Sequence, residues 1–130
     1  MKKYAMIAGL MLSASAAAAD DGERWLTIGE ASGGTTFAVD RQTLQARGDA
    51  VTAWVKFTYA GPPPAGVPAD AGYTNMQLRF QCDAMTVAIL SMVVYSPDGK
   101  HLADSHAPSP PSPVIPDSVN ERIWSVLCKP

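Results

Sequence analysis

Two stretches of strict two-residue alternation fix what this chain can fold into. From Ala50 to Tyr59, Val51, Ala53, Val55, Phe57 and Tyr59 share one parity and Thr52, Trp54, Lys56 and Thr58 share the other. From Tyr73 to Cys82 the pattern returns more clearly. Thr74, Met76, Leu78, Phe80 and Cys82 point one way, and Tyr73, Asn75, Gln77, Arg79 and Gln81 point the other. Successive side chains of a strand face opposite sides, so each stretch reads as a strand with one face in a core and one in water or on a partner. Between them, Gly61 to Gly72 holds four prolines and three glycines. No regular element survives that composition. It is an exposed loop, read either as an ordinary connection or as part of a recognition surface.

Upstream, Glu23 to Ile28 is expected as an opening strand carrying Trp25, followed by a glycine-rich turn over Gly29 to Gly34. Thr35 to Asp40 is a second strand, and Asp40 to Leu44 is expected to make one helical turn capped by Asp40. Arg47-Gly48-Asp49 is a turn. Downstream, Ala84 to Tyr95 is apolar on both parities. That is the mark of a strand covered on both faces, expected centrally under the helix, with a buried helix as the alternative. Ser96-Pro97-Asp98-Gly99 is a turn with proline suited to its first central position. Lys100 to Ser105 returns as an edge strand. Ala107 to Pro116, with five prolines, is expected to be an extended spacer that carries the chain back across the sheet.

Asp117 to Lys129 is the single convincing helix. Ser118 with Glu121 forms a capping box, and Val119, Ile123, Val126 and Leu127 form its apolar stripe. Trp124 lies one turn before Cys128 and is expected to pack in the core beside it. The fold class is therefore α+β: an antiparallel sheet of five to six strands with one C-terminal helix packed on it.

The N-terminus sets the compartment. Lys2 and Lys3, an apolar run from Ala5 to Leu12, and small residues through Ala17-Ala18-Ala19 make the layout of a bacterial secretory signal. Residues 1–19 are expected to be removed, leaving one domain over 20–130; an N-terminal helix that stays attached is the alternative. Neither cysteine lies near the cleavage site, so a soluble rather than acyl-anchored protein is expected, in the periplasm first, with the cell surface or exterior as alternatives. The apolar run is shorter than the about 20 residues that a membrane span needs.

Export makes a disulfide the ordinary fate of two cysteines, and Cys82–Cys128 is the one pairing the chain allows. A redox or metal role lacks the usual spacing, and two sulfurs alone are a poor zinc site. The long loop that the bond closes predicts roughly 3–4 kcal/mol of stabilisation.

Removing Lys2 and Lys3 leaves eight basic residues against twelve acidic ones, a net charge of about −4. The basic residues are scattered, which argues against nucleic acid. His101, Asp104 and His106 are the one cluster with ligand chemistry. A regular strand would put His101 on the opposite face from the other two, so only a break would let all three converge. No Gly-x-Ser-x-Gly elbow and no phosphate loop is present. No nucleophile, base and orienter emerge together, so no enzyme, no metal and no cofactor is expected.

The order of features has a family pattern. Trp25 stands near the mature start; Phe37-Ala38-Val39-Asp40 ends one strand and Trp54-Val55-Lys56 lies in another. A cysteine precedes a long apolar strand ending Val93-Val94-Tyr95-Ser96-Pro97-Asp98-Gly99-Lys100. Ile115-Pro116-Asp117-Ser118 leads to Trp124 and Cys128. From about Trp25 to Cys128 this resembles the surface-adhesin protein E family of Gram-negative bacteria. The resemblance implies an antiparallel sheet with a C-terminal helix, and a protein that binds other proteins, such as the host matrix proteins vitronectin and laminin. It supplies no contact residue. The outward row Tyr73, Asn75, Gln77 and Arg79 mixes an aromatic, amides and a cation, as interfaces do, and is the candidate binding surface. A solvated sheet face is the plain alternative. A protein partner is thus expected, with a homodimer left open. An envelope structural or stress component, or a small secreted enzyme inhibitor, are the competing roles.

Overall fold

The computed structural model describes residues 24–129. The expected signal segment and a mature start at Asp20 lie outside the described residues. Eight strands form one antiparallel sheet: β1 (Trp25–Glu30), β2 (Thr36–Asp40), β3 (Gln45–Arg47), β4 (Ala50–Thr58), β5 (Tyr73–Gln81), β6 (Thr86–Tyr95), β7 (His101–Ser105) and β8 (Ser112–Pro113). Helix α1 (Val119–Cys128) follows. The path across the sheet is β1-β2-β4-β5-β6-β7, with β3 added on β4 and β8 on β6.

The middle of the sheet is the β4–β5 ladder, nine unbroken pairs from Ala50↔Gln81 to Thr58↔Tyr73. The alternation in both strands matches it. Phe37, Val39, Ala53, Val55, Leu78, Phe80 and Val87 form the core with Val114 and Ile123, which lie on the same side as the helix. Thr74 is buried among them, its hydroxyl 2.6 Å from that of Tyr59. Cys82, half-buried just past β5, is bonded to Cys128, which packs against this core.

Four expectations need correction. First, Asp40 to Leu44 makes no helical turn. The chain bends, with Asp40 accepting from the Gln42 N–H at 3.1 Å and the Thr43 hydroxyl at 2.8 Å. It then forms β3, which pairs with the start of β4 through a Gly48-Asp49 turn, Gly48 at φ +60. Asp40 thus uses its capping chemistry on a bend, because too few residues follow before pairing with β4 competes.

Second, β6 is apolar on both parities because a bulge shifts its register, and it lies one strand from the edge rather than centrally. Gln77 pairs with Ser91, but Leu78 pairs with Ile89, leaving Leu90 as the extra residue. Val87 and Ile89 before the bulge, and Met92 and Val94 after it, oppose the core residues of β5.

Third, the proline-rich segment does not cross the sheet. It runs along the free edge of β6 beyond β7: Ser109 N–H donates to Ile89 O at 2.8 Å, Ile89 N–H to Ser109 Oγ at 2.8 Å, and Val114 N–H to Met85 O at 2.8 Å. Thr86 pairs with Pro113 and Val87 with Ser112. Proline tolerates an edge because it has no N–H to donate.

Fourth, Val126 is 42% exposed and lies off the apolar stripe, which is carried by Val119, Ile123, Trp124 and Leu127.

The helix starts as expected. Ser118 Oγ accepts from Glu121 N–H at 3.1 Å, and Glu121 Oε1 accepts from Asp117 N–H at 2.8 Å, one residue beyond the usual partner. The Cys82–Cys128 disulfide joins the residue after β5 to the last helical residue, with Cα atoms 5.5 Å apart. Trp124 Nε1 donates to Cys82 O at 3.2 Å, beside that bond. Arg122 pins the helix to the β1–β2 end of the sheet. It donates to Glu30 O at 3.0 Å and lies over the Phe37 ring at 5.0 Å.

The turn joining β6 to β7 follows the sequence reading. Gly99 takes φ +92, and Gly99 N–H donates to Ser96 O at 3.0 Å. The Ser96 hydroxyl, foremost, holds the Asp98 carboxyl below the usual range.

Candidate functional site: the outer face of the sheet

The helix covers one face of the sheet. The other face carries the opposite parity of β4 and β5. Their register brings Thr58 opposite Tyr73, Lys56 opposite Asn75, Trp54 opposite Gln77 and Thr52 opposite Arg79. Every member of the expected row Tyr73, Asn75, Gln77 and Arg79 is on this outer face, and Arg79 is exposed. The structure adds Trp54 and Lys56 to it. Their shared parity was readable, but only the register shows which β5 residue each one touches.

One end of this face is aromatic. Lys56 Nζ lies 4.4 Å from the Trp25 ring centroid and 5.2 Å from that of Tyr73. Tyr73 stacks on Tyr95 with centroids 5.0 Å apart, and His101 meets Tyr95 edge-on at 6.3 Å. Trp25, expected to be simply the apolar residue of the first strand, therefore belongs to an outer row that spans the sheet. Behind that row is a cavity of about 260 Å³ lined by Trp25, Asp40, Trp54, Asn75, Val93 and Tyr95 among others. Asn75 Oδ1 is buried beside it with no hydrogen-bond partner.

Asp40 forms the floor of this end and is 2% exposed. Burial disfavours its charge. That effect is outweighed by the hydrogen bonds from Arg24, Thr43 and the Gln42 N–H and by the Arg24 charge, so its carboxyl titrates below the usual range. Arg24 holds it with two bonds, Nε–Oδ1 at 3.0 Å and Nη2–Oδ2 at 3.1 Å.

The other end is polar. Gln45, Arg47, Thr52, Gln77, Arg79 and Gln81 surround a shallow concavity of about 400 Å³. Arg47 was expected in a turn. It is the last residue of β3, opposite Ala50, and that places it on this face. Among the described residues neither Arg47 nor Arg79 has a carboxylate partner.

The histidine cluster also lies here. β7 carries a register shift against β6, Val94 pairing with Ala103 but Tyr95 with His101, so Leu102 is the extra residue. This is the break that convergence required, and His101 and Asp104 come to one face. His101 Nε2 is 2.8 Å from Asp104 Oδ2, and His106 Nε2 is 4.0 Å from Asp104 Oδ1. His106 Nδ1 is 3.2 Å from Ser91 Oγ. The serine, histidine and aspartate follow one another in the order of a hydrolytic triad. However, the His106–Asp104 separation exceeds hydrogen-bond distance, and His106 and Asp104 are 62% and 44% exposed, without an enclosed site. Among the described residues no group of three or more His, Cys, Asp or Glu is placed to hold a metal ion. No helix among them is long and apolar enough to cross a membrane.

On the helix side, a groove of about 400 Å³ lies between the helix start, the proline-rich segment and Phe57, Met76, Leu78 and Ile89. It continues the core and carries no charged side chain.

No curated protein matches the sequence. Among solved structures the chain is similar to protein E of Haemophilus influenzae. The TM-score is 0.61 at 10% identity, over 81% of this chain and 87% of that one, a likeness of fold. The family described as surface-adhesin protein E matches residues 25–129, nearly all of the described chain. The chain belongs to the surface-adhesin protein E family.

Proposed function

We propose that this chain is an exported, non-enzymatic protein-binding module of the envelope or cell surface. Its contact surface is the outer sheet face built on Tyr73, Asn75, Gln77 and Arg79. The observation that supports this most is that Trp25, Trp54, Tyr73 and Tyr95 gather on the face the helix leaves uncovered. Aromatic residues and arginine are the residue types enriched in interfaces, and a merely solvated face has no need of four large aromatics. The family name, surface adhesin, supports the same class of role. Host proteins and envelope proteins are both open to such a face.

The test is capture from periplasm and from host serum with the mature protein, repeated with the double variant Tyr73→Ala, Arg79→Glu. A partner that the wild type retains and the folded double variant loses sustains the reading. Unchanged affinity in the variant removes this face as the site, and turnover of a substrate by purified protein removes the binding-module reading altogether. Recovery of the partner from periplasm alone marks an envelope component, and a partner that is a host enzyme marks an inhibitor.

A further inference from the structure

The protein-binding reading leaves open what kind of segment the face accepts, and the charge distribution bears on that. The chain as a whole has a formal net charge of −2. Yet β3, β4, β5 and β6 together contain Arg47, Lys56 and Arg79 and not one Asp or Glu. The nearest carboxylate at the aromatic end, Asp40, is buried and already held by Arg24. At the far edge, Asp104 is engaged by His101. At the polar end Asp49, in the turn after Arg47, is taken up by the Asp83 N–H at 3.1 and 3.0 Å. The strand surface between these ends is therefore cationic in an acidic protein.

We infer that the outer face takes an extended acidic segment of a partner protein, with carboxylates at Arg47 and Arg79 and an apolar side chain at the Trp54–Tyr95 cavity. This rests on the protein-binding reading and deepens it.

The chemistry of the two ends differs in a way that sets a register. Arg47 and Arg79 flank one concavity together with Gln45, Gln77 and Gln81. Guanidinium groups present paired N–H donors that match a carboxylate, and neighbouring amides can complete its hydrogen bonds or bond the adjoining backbone. The cavity at the other end has an apolar wall of Trp25, Trp54, Val93 and Tyr95, which suits an apolar anchor, and a polar side formed by the Arg24–Asp40 pair and Thr43. Asn75 and Arg79 are four residues apart along β5, about 13 Å at the rise of a strand. An extended occupant lying along β5 thus needs its apolar anchor about four residues from its carboxylates. Lys56, opposite Asn75 and held between Trp25 and Tyr73, adds positive charge at the anchor end of that span.

The experiment titrates the mature protein with short fluorescent peptides. One carries a leucine and, about four residues further on, two glutamates. A second has glutamines in place of the glutamates. A heparin-derived oligosaccharide serves as the anionic glycan. The expected result is that the glutamate peptide binds about tenfold or more tightly than the glutamine one, and that this preference falls as salt is raised. The exposed pair Arg47→Gln, Arg79→Gln should abolish the preference with an unchanged melting curve. Equal binding of the two peptides, or none by either, overturns the inference. So does a glutamate preference that survives the arginine double variant, or a preference for the oligosaccharide. The two readings separate on a captured partner. Binding lost in Tyr73→Ala, Arg79→Glu but insensitive to salt keeps the protein-binding face and discards the acidic segment.

Discussion

Asp40 shows how one residue can be legible in chemistry and illegible in place. Its preference for capping was readable, but what it caps is a bend, and its main partner, Arg24, is sixteen positions away in sequence. Its folded-state titration lies below the ordinary value, so the stability it contributes is present above the unfolded value of about 3.9 and is lost as pH falls through the lower folded value. Asp40→Asn should cost about 1–3 kcal/mol at neutral pH, since a charge-assisted pair with Arg24 is lost. The gap between variant and wild type should close as the pH drops below the folded value. Urea unfolding midpoints across an acid series measure this; a pH-independent gap would mean that the charge contributes nothing. Trp124 is the opposite case, a residue whose role was readable from spacing. It packs against the core and donates to Cys82 O. Because it is only partly buried, Trp124→Ala should cost about 2–3 kcal/mol, below the range for a fully buried indole. An unchanged melting temperature would contradict its place in the core.

Elements were legible where a single period ran uninterrupted and illegible where pairing broke the period. β4 and β5 are regular through nine pairs, and their alternation named both the core set and the outer set correctly. β6 has the same apolar content, but the extra Leu90 moves the later residues to the other parity, which in sequence looks like burial on both faces. A similar one-residue shift in β7 brought His101 beside Asp104 when regular alternation would have parted them. β3 and β8 are too short to carry a period at all, and they exist because β4 and β6 each offer an edge that one partner only half covers. The outer aromatic row was unreadable for a related reason: its members come from β1, β4, β5 and β6, and only register unites them. Gly72 links two of these elements. Its N–H donates to Tyr95 O at 2.7 Å, and a Cβ there would lie 2.5 Å from the Pro97 backbone. Gly72→Ala should therefore push the β6–β7 turn away and cost about 1–3 kcal/mol, as overpacking does. Chemical denaturation would register it, and a neutral result would show that the turn yields freely.

On the scale of the molecule, the division of labour between the two faces of the sheet is the main consequence of this sequence. The inner face is closed by one short helix, fastened by the Cys82–Cys128 bond at its end and by Arg122 along its length. The outer face is held by the β4–β5–β6 ladders and makes no direct use of helix side chains. The general architecture was readable because the capping box, the alternating strands and the cysteine pair all agree on one arrangement. The faces should accordingly fail separately. Closing a separation of 46 residues, the disulfide is worth roughly 4 kcal/mol in the chain-entropy account, and replacing both cysteines with serine should cost about 2–5 kcal/mol. The loss should fall first on the helix, which a ten-residue length leaves marginal without tertiary support. Amide hydrogen exchange on the double serine variant should show protection falling in α1 while β4 and β5 keep theirs. A salt-dependent ligand of the outer face, once found, should still bind that variant at temperatures where the sheet remains folded. If protection falls equally in the sheet and the helix, the bond holds the whole molecule together, and the outer face cannot be treated as a surface independent of what lies beneath it.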